Sequence, residues 1–351
     1  MNVNGKPYRT VWMESGVVRM INQPLIPFRF EIADCPTHRD TAVAIRTMIV
    51  RGAGAIGAAA GYGMAQVALE APDRSAFMDY VEQGAETLRQ TRPTAQDLFY
   101  AIGRVREAIL GARSVQAARQ AAVQTANELA DENAEAGAAI GRHGAELIGD
   151  GARILTHCNA GWLAFVDWGS ALSPIYWASR QGKQVFVYVD ETRPRSQGAQ
   201  LTAWELEGEG IAHAIIADNA AGYLMRRGEV DMVIVGADRI ASNGDVANKV
   251  GTYEKAVCAA ASGIPFYVAA PLTTFDPQCP TGDDIPIEER SQDEVLYIHG
   301  RNDRGEMTRV RIAHEGAQAR NPAFDVTPAR YISGIITPLG ILAPGSIPAP
   351  K

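Results

Sequence analysis

The stretch Val230-Asp-Met-Val-Ile-Val-Gly-Ala-Asp238-Arg-Ile-Ala-Ser-Asn243-Gly-Asp-Val-Ala-Asn248-Lys249-Val-Gly251 decides the fold, because a short apolar run leads straight into a segment crowded with polar side chains. Met232–Val235 is apolar on both alternating faces, as in a strand covered on both sides, and Gly236 lets the backbone turn sharply before Asp238. In open α/β sheets ligands sit beyond the carboxyl ends of the strands, which puts Asp238, Asn248 and Lys249 at a ligand crevice. Taken in isolation the segment reads as an Asx turn followed by a surface lysine. The rest of the chain decides between the two.

Similar apolar runs occupy residues 153–157, 184–189, 213–216 and 265–269, separated by segments of helix length, and together they predict a parallel, doubly wound sheet. Upstream, residues 10–13 and 16–21 are strand-like and predict a small sheet, while residues 42–50 have mixed helical and strand character. Residues 75–90, 95–112 and 114–148 are rich in Ala, Glu, Gln and Arg with apolar residues near a 3.6 period, which predicts helices, the last long enough to join two domains. The fold class is therefore α/β: a small N-terminal α/β domain with a helical layer over residues 1–130, then a Rossmann-like, doubly wound parallel-sheet domain over 131–351. The tail from residue 271, richer in proline and polar residues, is expected to wrap the sheet.

A chain of 351 residues exceeds what one hydrophobic core usually organises, which agrees with two domains. Its net charge of -7, with basic residues dispersed, argues against a nucleic-acid surface. No uninterrupted apolar run reaches the roughly 18 residues of a membrane span. The segment Met1-Asn-Val-Asn-Gly-Lys-Pro7 lacks the apolar core of a signal peptide, and Cys35, Cys158, Cys258 and Cys279 have neither metal nor redox spacing. A reducing cytoplasm follows as the expected location.

Gly52-Ala-Gly54-Ala-Ile-Gly57 matches the dinucleotide fingerprint G-x-G-x-x-G, with Met48-Ile-Val50 available as its strand. The match fails downstream: a dinucleotide site needs a second strand ending in an acidic residue about 20 positions on, whereas residues 58–69 continue as a helix that Glu70 closes. Two readings remain. Arg51 and the glycine-rich turn make an anion site at a helix N-terminus, or the small residues let two helices pack closely.

The run 153–157 ends in Cys158, which places a thiol where the sheet opens; His157 is a competing base, although strand alternation turns it to the opposite face. Asp238 ends another strand of the same sheet, so thiol and carboxyl can face one substrate from opposite sides. Gln197 follows the strand at 184–189. Thr94 and Asp97 have the spacing of a helix capping box, which leaves Arg92 free to reach a ligand. Arg51, Arg92 and Lys249, with Gln197 and Asn248, can offset a phosphate's charge of nearly two units.

On these residues the chain resembles the family that holds the methylthioribose-1-phosphate isomerases, the ribose-1,5-bisphosphate isomerases and the regulatory alpha, beta and delta subunits of the translation-factor exchange complex eIF2B. The resemblance runs through 50–57, 92–95, 156–161, 190–194 with 197–206, 236–240 with 248–253, 285–290 and 321–328, in the right order over nearly the whole chain. It implies a homodimer and an aldose–ketose isomerase of methionine salvage that acts on a small sugar 1-phosphate without metal or nucleotide cofactor. It makes Asp238 the proton donor and Cys158 its catalytic partner, with Arg51, Ala53, Arg92, Gln197, Asn248 and Lys249 holding the substrate. Isomerisation of 5-deoxyribose 1-phosphate or ribose 1,5-bisphosphate, and a non-catalytic regulatory role, are the alternatives within the family.

The chemistry explains the residue types. Phosphate on the anomeric oxygen prevents the sugar from opening to a free aldehyde, so an acid must assist departure of the ring oxygen, and a carboxyl raised toward neutrality by burial can supply that proton. The chain departs from the family pattern at Gly54, where proline is usual, at Gln96-Asp97 in place of Val-Asn, and over residues 296–320, including His299 and His314.

Overall fold

The computed structural model describes residues 1–73, 75–92 and 96–346. The chain opens with a hairpin of β1 (Asn2–Val3) and β2 (Lys6–Pro7), then an antiparallel sheet of β3 (Val11–Glu14), β4 (Val17–Ile21) and β5 (Ile32–Cys35). The third strand of that sheet has no counterpart in the sequence reading. The mixed segment at 42–50 is helix only as far as residue 46: α1 (His38–Arg46) starts at a capping box in which Thr37 and Asp40 satisfy each other's backbone amides, and residues 47–50 form a turn. Met48–Val50 is not a strand, so the dinucleotide fingerprint lacks its first element as well as its second.

The helical layer is α2 (Ala53–Glu70), α3 (Phe77–Arg89), α4 (Gln96–Leu110) and α5 (Val115–Ala145). Its axis is α2, fifteen of whose 18 residues are buried, as expected of a helix apolar on every side. Close packing and a helix N-terminus both prove real at the glycine-rich turn. Gly52 caps α2 at φ +89°, and a Cβ there would lie 2.4 Å from the Cα of Ala164, so the turn brings the start of α2 against the loop after residue 158. Ser114 caps α5 by accepting from the amide of Ala117. The proposed cap at Thr94 lies outside the described residues; its partner Asp97 is buried in the first turn of α4, where desolvation pushes its carboxyl up to about 6.

The main sheet takes β6 (Ala152–Thr156), β7 (Val185–Asp190), β8 (Ala212–Ile216), β9 (Met232–Val235) and β12 (Phe266–Ala269) from the five expected runs. It also takes β17 (Gly334–Thr337) and β18 (Gly340–Leu342) from the tail, so the expectation that the tail only wraps the sheet is corrected. The seven strands lie in the order β18-β17-β12-β9-β6-β7-β8, all parallel except β18. Successive residues feed two different cores. Ile154, Met232 and Ile234 pack with Ile140 of α5, with Ile175 and Tyr176 of α6 (Ser173–Arg180) and with Leu206 of α7 (Ala203–Gly208). Leu155, Val233 and Val235 pack with Met225 of α8 (Ala221–Arg226) and with Ala256 and Ala259 of α9 (Thr252–Ser262). That alternation is why the strands read as continuous apolar runs.

The polar segment after β9 is a hairpin, not the open turn the sequence suggested. β10 (Arg239–Ala241) and β11 (Val246–Lys249) pair antiparallel and form a second sheet with β13 (Phe275–Asp276) and β16 (Phe324–Thr327). Asn243 and Asp245 shape its turn: Asn243 donates to Asp245 at 2.8 Å, and Asp245 accepts the amides of Gly282 and Ala329. A short helix, α10 (Asp293–Leu296), precedes the exposed hairpin of β14 (Tyr297–Arg301) and β15 (Met307–Arg311), which accounts for the divergent segment at 296–320.

Candidate active site

From β6 the chain adds β7 and β8 on one side and then crosses to add β9 on the other, so the strand order reverses between β6 and β9. A crevice opens there beyond the carboxyl ends of the strands. Cys158 follows β6, Asp238 follows β9, and both line one cavity together with Arg51, Ala53, Arg92, Gln197, Asn248 and Lys249. All eight residues singled out from the sequence therefore meet at one place.

Cys158 is held in an unusual backbone conformation, φ +67°. For a residue with a Cβ this left-handed region costs about 1–2 kcal/mol. Its neighbours fix it there: its amide donates to Thr192 Oγ1 at 2.8 Å, and its carbonyl accepts from Thr202 Oγ1 at 2.7 Å. His157, the competing base, also borders the cavity, but both of its ring nitrogens are engaged by the protein. Its Nδ1 lies 2.8 Å from Asp190 Oδ2 and its Nε2 lies 2.8 Å from the carbonyl of Val250, which can only accept, so Nε2 carries a proton. With both nitrogens engaged, the ring ties the Cys158 strand to β7 and to the turn after Lys249. His157, Asp190 and Asp218 lie close enough to hold a cation, yet the Lys255 ammonium already sits 3.4 Å from Asp190, and Asp218 accepts the amides of Thr192 and Arg193.

Asp238 lies on the cavity wall and is exposed through its opening, while the protein packed around that wall still strips water from its carboxyl. Desolvation pushes its pKa up, and Lys249, Arg290, Arg51 and Arg92 pull it back without cancelling the rise. The net shift is upward, the direction that suits an acid catalyst.

The cations are buried or half-buried. Lys249 is 5% exposed, not the surface lysine of the isolated-loop reading; its Nζ donates to the carbonyl of Ala323 at 2.6 Å and lies 4.8 Å from the centre of the Phe324 ring. Desolvation lowers its pKa to about 8. Burial likewise lowers that of Arg92, helped by repulsion from Arg290. Arg51 donates through Nη2 to the carbonyl oxygen and Oδ1 of Asn159, at 2.8 and 2.9 Å. Its Nη1 and Oε1 of Gln197 are buried with no hydrogen-bond partner among the described residues. Such atoms call for a polar ligand. Asn248 donates to Thr252 Oγ1 at 3.0 Å, and Ala53 begins α2, whose N-terminal end borders the cavity.

Arg290 and Phe324 are cavity residues to which the sequence reading gave no role. Arg290 lines the wall, held by Glu288 at 3.2 Å, and Phe324 lies between Arg290 and Lys249, with the guanidinium 5.6 Å from its ring centre. Both fall in the segments 285–290 and 321–328 that carry the family resemblance, which was the available signal. A second cavity shares Gly52, Ala53, Arg92, Asp238 and Phe324 with the first and continues between Ile56, Gln96, Arg239, Ala247, Ile285 and Pro286. One side of Asp238 is thus strongly cationic and the other mixed, with apolar side chains beside Arg239.

Residues 49–344 match the initiation factor 2 subunit family. The chain is 48% identical over 355 residues to the methylthioribose-1-phosphate isomerase of Cereibacter sphaeroides, with 98% of this chain and 95% of the relative covered. A Pyrococcus horikoshii crystal structure of 5-methylthioribose 1-phosphate isomerase superposes with a TM-score of 0.87 at 43% identity, covering 97% of this chain and 94% of that one. A crystal structure from A. fulgidus, described as the delta subunit of translation initiation factor eIF-2B, superposes with a TM-score of 0.84 at 40% identity over 96% of both chains.

Proposed function

Because the chain belongs to the initiation factor 2 subunit family and groups there with the methylthioribose-1-phosphate isomerases, we propose that its cavity interconverts 5-methylthioribose 1-phosphate and 5-methylthioribulose 1-phosphate. The activity is that of an aldose–ketose isomerase and fits methionine salvage. One observation carries the residue assignment: a thiol and a carboxyl of raised pKa flank the reversal of strand order, inside a ring of four buried or half-buried cations. Asp238 donates its proton to the departing ring oxygen, hydrogen passes from C2 to C1 beside Cys158, and the 2-hydroxyl gives up its proton as the ketone forms. That last proton restores the acid, so the sequence balances. Arg51, Arg92, Gln197, Asn248 and Lys249, with the amide end of α2 at Ala53, hold the phosphate and sugar hydroxyls. The continuation past Asp238 offers Ile56, Ile285 and Phe324 as apolar contacts for a thioether, beside Arg92, Gln96 and Arg239.

The test is conversion of the pure substrate, followed by phosphorus NMR. Turnover of methylthioribose 1-phosphate well above that of ribose 1,5-bisphosphate supports this reading. Binding without turnover of any sugar 1-phosphate would favour the regulatory role suggested by the name of the A. fulgidus relative.

Lys249 gives the reading a pH signature. A lysine titrating near 8 in the free protein is charged below that value and neutral above it, so affinity for a phosphate dianion is present below and lost above. kcat/KM is expected to fall on the alkaline side with a midpoint near that value, and Lys249→Arg is expected to carry that limb beyond the range in which the protein is folded. An alkaline limb unmoved in Lys249→Arg assigns it to another group.

The proposal extends to a homodimer working in a reducing cytoplasm, with the N-terminal domain over 1–130 and the catalytic domain over 131–351. All four cysteines are free in the monomer, and no helix among the described residues is long and apolar enough to cross a membrane.

A further inference from the structure

Glu205 is the most heavily hydrogen-bonded buried carboxylate near the cavity, and the proposed isomerisation does not use it. It sits on α7, 1% exposed, behind the loop after Cys158. Oε1 accepts from Asn159 Nδ2 at 2.7 Å and from the Leu163 amide at 3.3 Å; Oε2 accepts from the Trp162 amide at 2.8 Å and from Tyr176 Oη at 2.6 Å. Asn159 and the two amides can only donate here, while Tyr176 Oη can donate or accept, so the surroundings favour the ionised carboxylate against the cost of burial. Burial pushes its pKa up to about 7 while Tyr176, Asn159 and the two amides pull the other way. A buried charge of this kind needs a compensating cation.

The cation is Arg51, one residue further on. Asn159 turns its Nδ2 to Glu205 and its Oδ1 to Arg51, and an amide can present only one of its two ends to each neighbour. Glu205, the nearer of the two acceptors of Nδ2, the other being Thr202 Oγ1 at 3.2 Å, thus holds Asn159 in the orientation that Arg51 needs. Turned the other way, Asn159 would aim its NH2 group at the guanidinium, donor against donor. Because both hydrogen bonds of Arg51 come from Nη2, its Nη1 is left without a partner among the described residues while the side chain borders the cavity. A carboxylate bonded directly to Arg51 would compete with an incoming phosphate; one placed behind an amide orients the guanidinium and leaves its charge to the ligand. The packing is specific to this arrangement, since a Cβ on Gly161 would lie 1.8 Å from Oε2 of Glu205.

From this geometry we infer that Glu205 is a positioning residue for phosphate binding, acting through Asn159 to hold Arg51 in its receiving orientation. The inference rests on the reading of Arg51 as a phosphate ligand, and the experiment separates the two.

The KM and kcat for methylthioribose 1-phosphate are measured for Arg51→Ala, Glu205→Gln and the double variant, with folding checked by circular dichroism. Glu205→Gln keeps the shape but removes the charge and brings an NH2 group in among four donors, which breaks at least one of the hydrogen bonds that hold Asn159 and its loop. It is expected to raise KM at least tenfold with kcat changed less than threefold, and to add nothing to KM once Arg51→Ala is present. If Glu205→Gln does not fold, Asn159→Ala cuts the same relay and is held to the same cycle against Arg51→Ala. A KM effect that persists in the Arg51→Ala background, or a Glu205→Gln protein with unchanged KM, overturns the relay. An unchanged KM in Arg51→Ala alone overturns the phosphate reading of Arg51 instead.

Discussion

Asp238→Asn lowers kcat by about 10²–10⁴-fold, the usual worth of a positioned general acid, while KM moves little. Asparagine reproduces the size and neutrality of the protonated carboxyl and can donate a hydrogen bond, but it cannot give up a proton to the ring oxygen. The same substitution is expected to stabilise the protein at neutral pH. A carboxyl whose folded pKa lies above its unfolded value binds its proton more tightly in the folded state. Stability is therefore fully present below the unfolded value of about 3.9 and declines as pH rises through the folded pKa. Asparagine escapes that decline. Thermal melts of both proteins should converge near pH 4 and separate at pH 7 with the variant higher. A variant with near-normal turnover removes Asp238 from the chemistry, and a lower melting temperature at pH 7 contradicts the raised pKa.

Cys158→Gly is expected to abolish measurable isomerisation, a loss of at least about 10²-fold, and Cys158→Ser to fall nearly as far. Glycine removes the sulfur and also the strain of a left-handed backbone at φ +67°. The relief of about 1–2 kcal/mol is offset by the greater freedom of glycine in the unfolded chain, so stability changes by no more than about 1 kcal/mol. An inactive protein of unchanged stability assigns the strained thiol to function. Retained turnover in Cys158→Ser shows that the sulfur is dispensable. Running the wild-type reaction in deuterium oxide then tells what passes beside the sulfur: deuterium at C1 of the product marks a proton taken up from solvent, and its absence marks direct transfer.

The strands were legible where burial on both faces left only apolar residues, as in Met232–Val235, and the helices where the 3.6 period was long, as in α5. The tail was not legible. β17, Gly-Ile-Ile-Thr, is four residues long and its pairing partner β12 lies far back in the chain, so nothing local marks it as a core strand. The hairpin of β10 and β11 was hidden for a different reason: Asn248 and Lys249 are polar yet fully inside the second sheet, because the cavity and Phe324 receive them. A pattern rule assigns such residues to solvent.

Site residues at strand ends were readable because the α/β architecture fixes where ligands go. The supporting groups were not. Glu205 lies in a helix whose sequence shows two glutamates, Glu205 and Glu207, with nothing to tell the buried one from the exposed one, and its partners Asn159, Trp162 and Tyr176 come from two other segments. Arg290 reaches the cavity from the tail, beyond the reach of any spacing argument.

A crystal structure with 5-methylthioribulose 1-phosphate bound tests the central claim most directly. The account predicts the phosphate within hydrogen-bond distance of Arg51 and Lys249, with C1 and C2 of the sugar lying between Cys158 Sγ and the Asp238 carboxyl. A phosphate seated away from those cations, or a sugar whose C1 and C2 touch neither Cys158 nor Asp238, would contradict it.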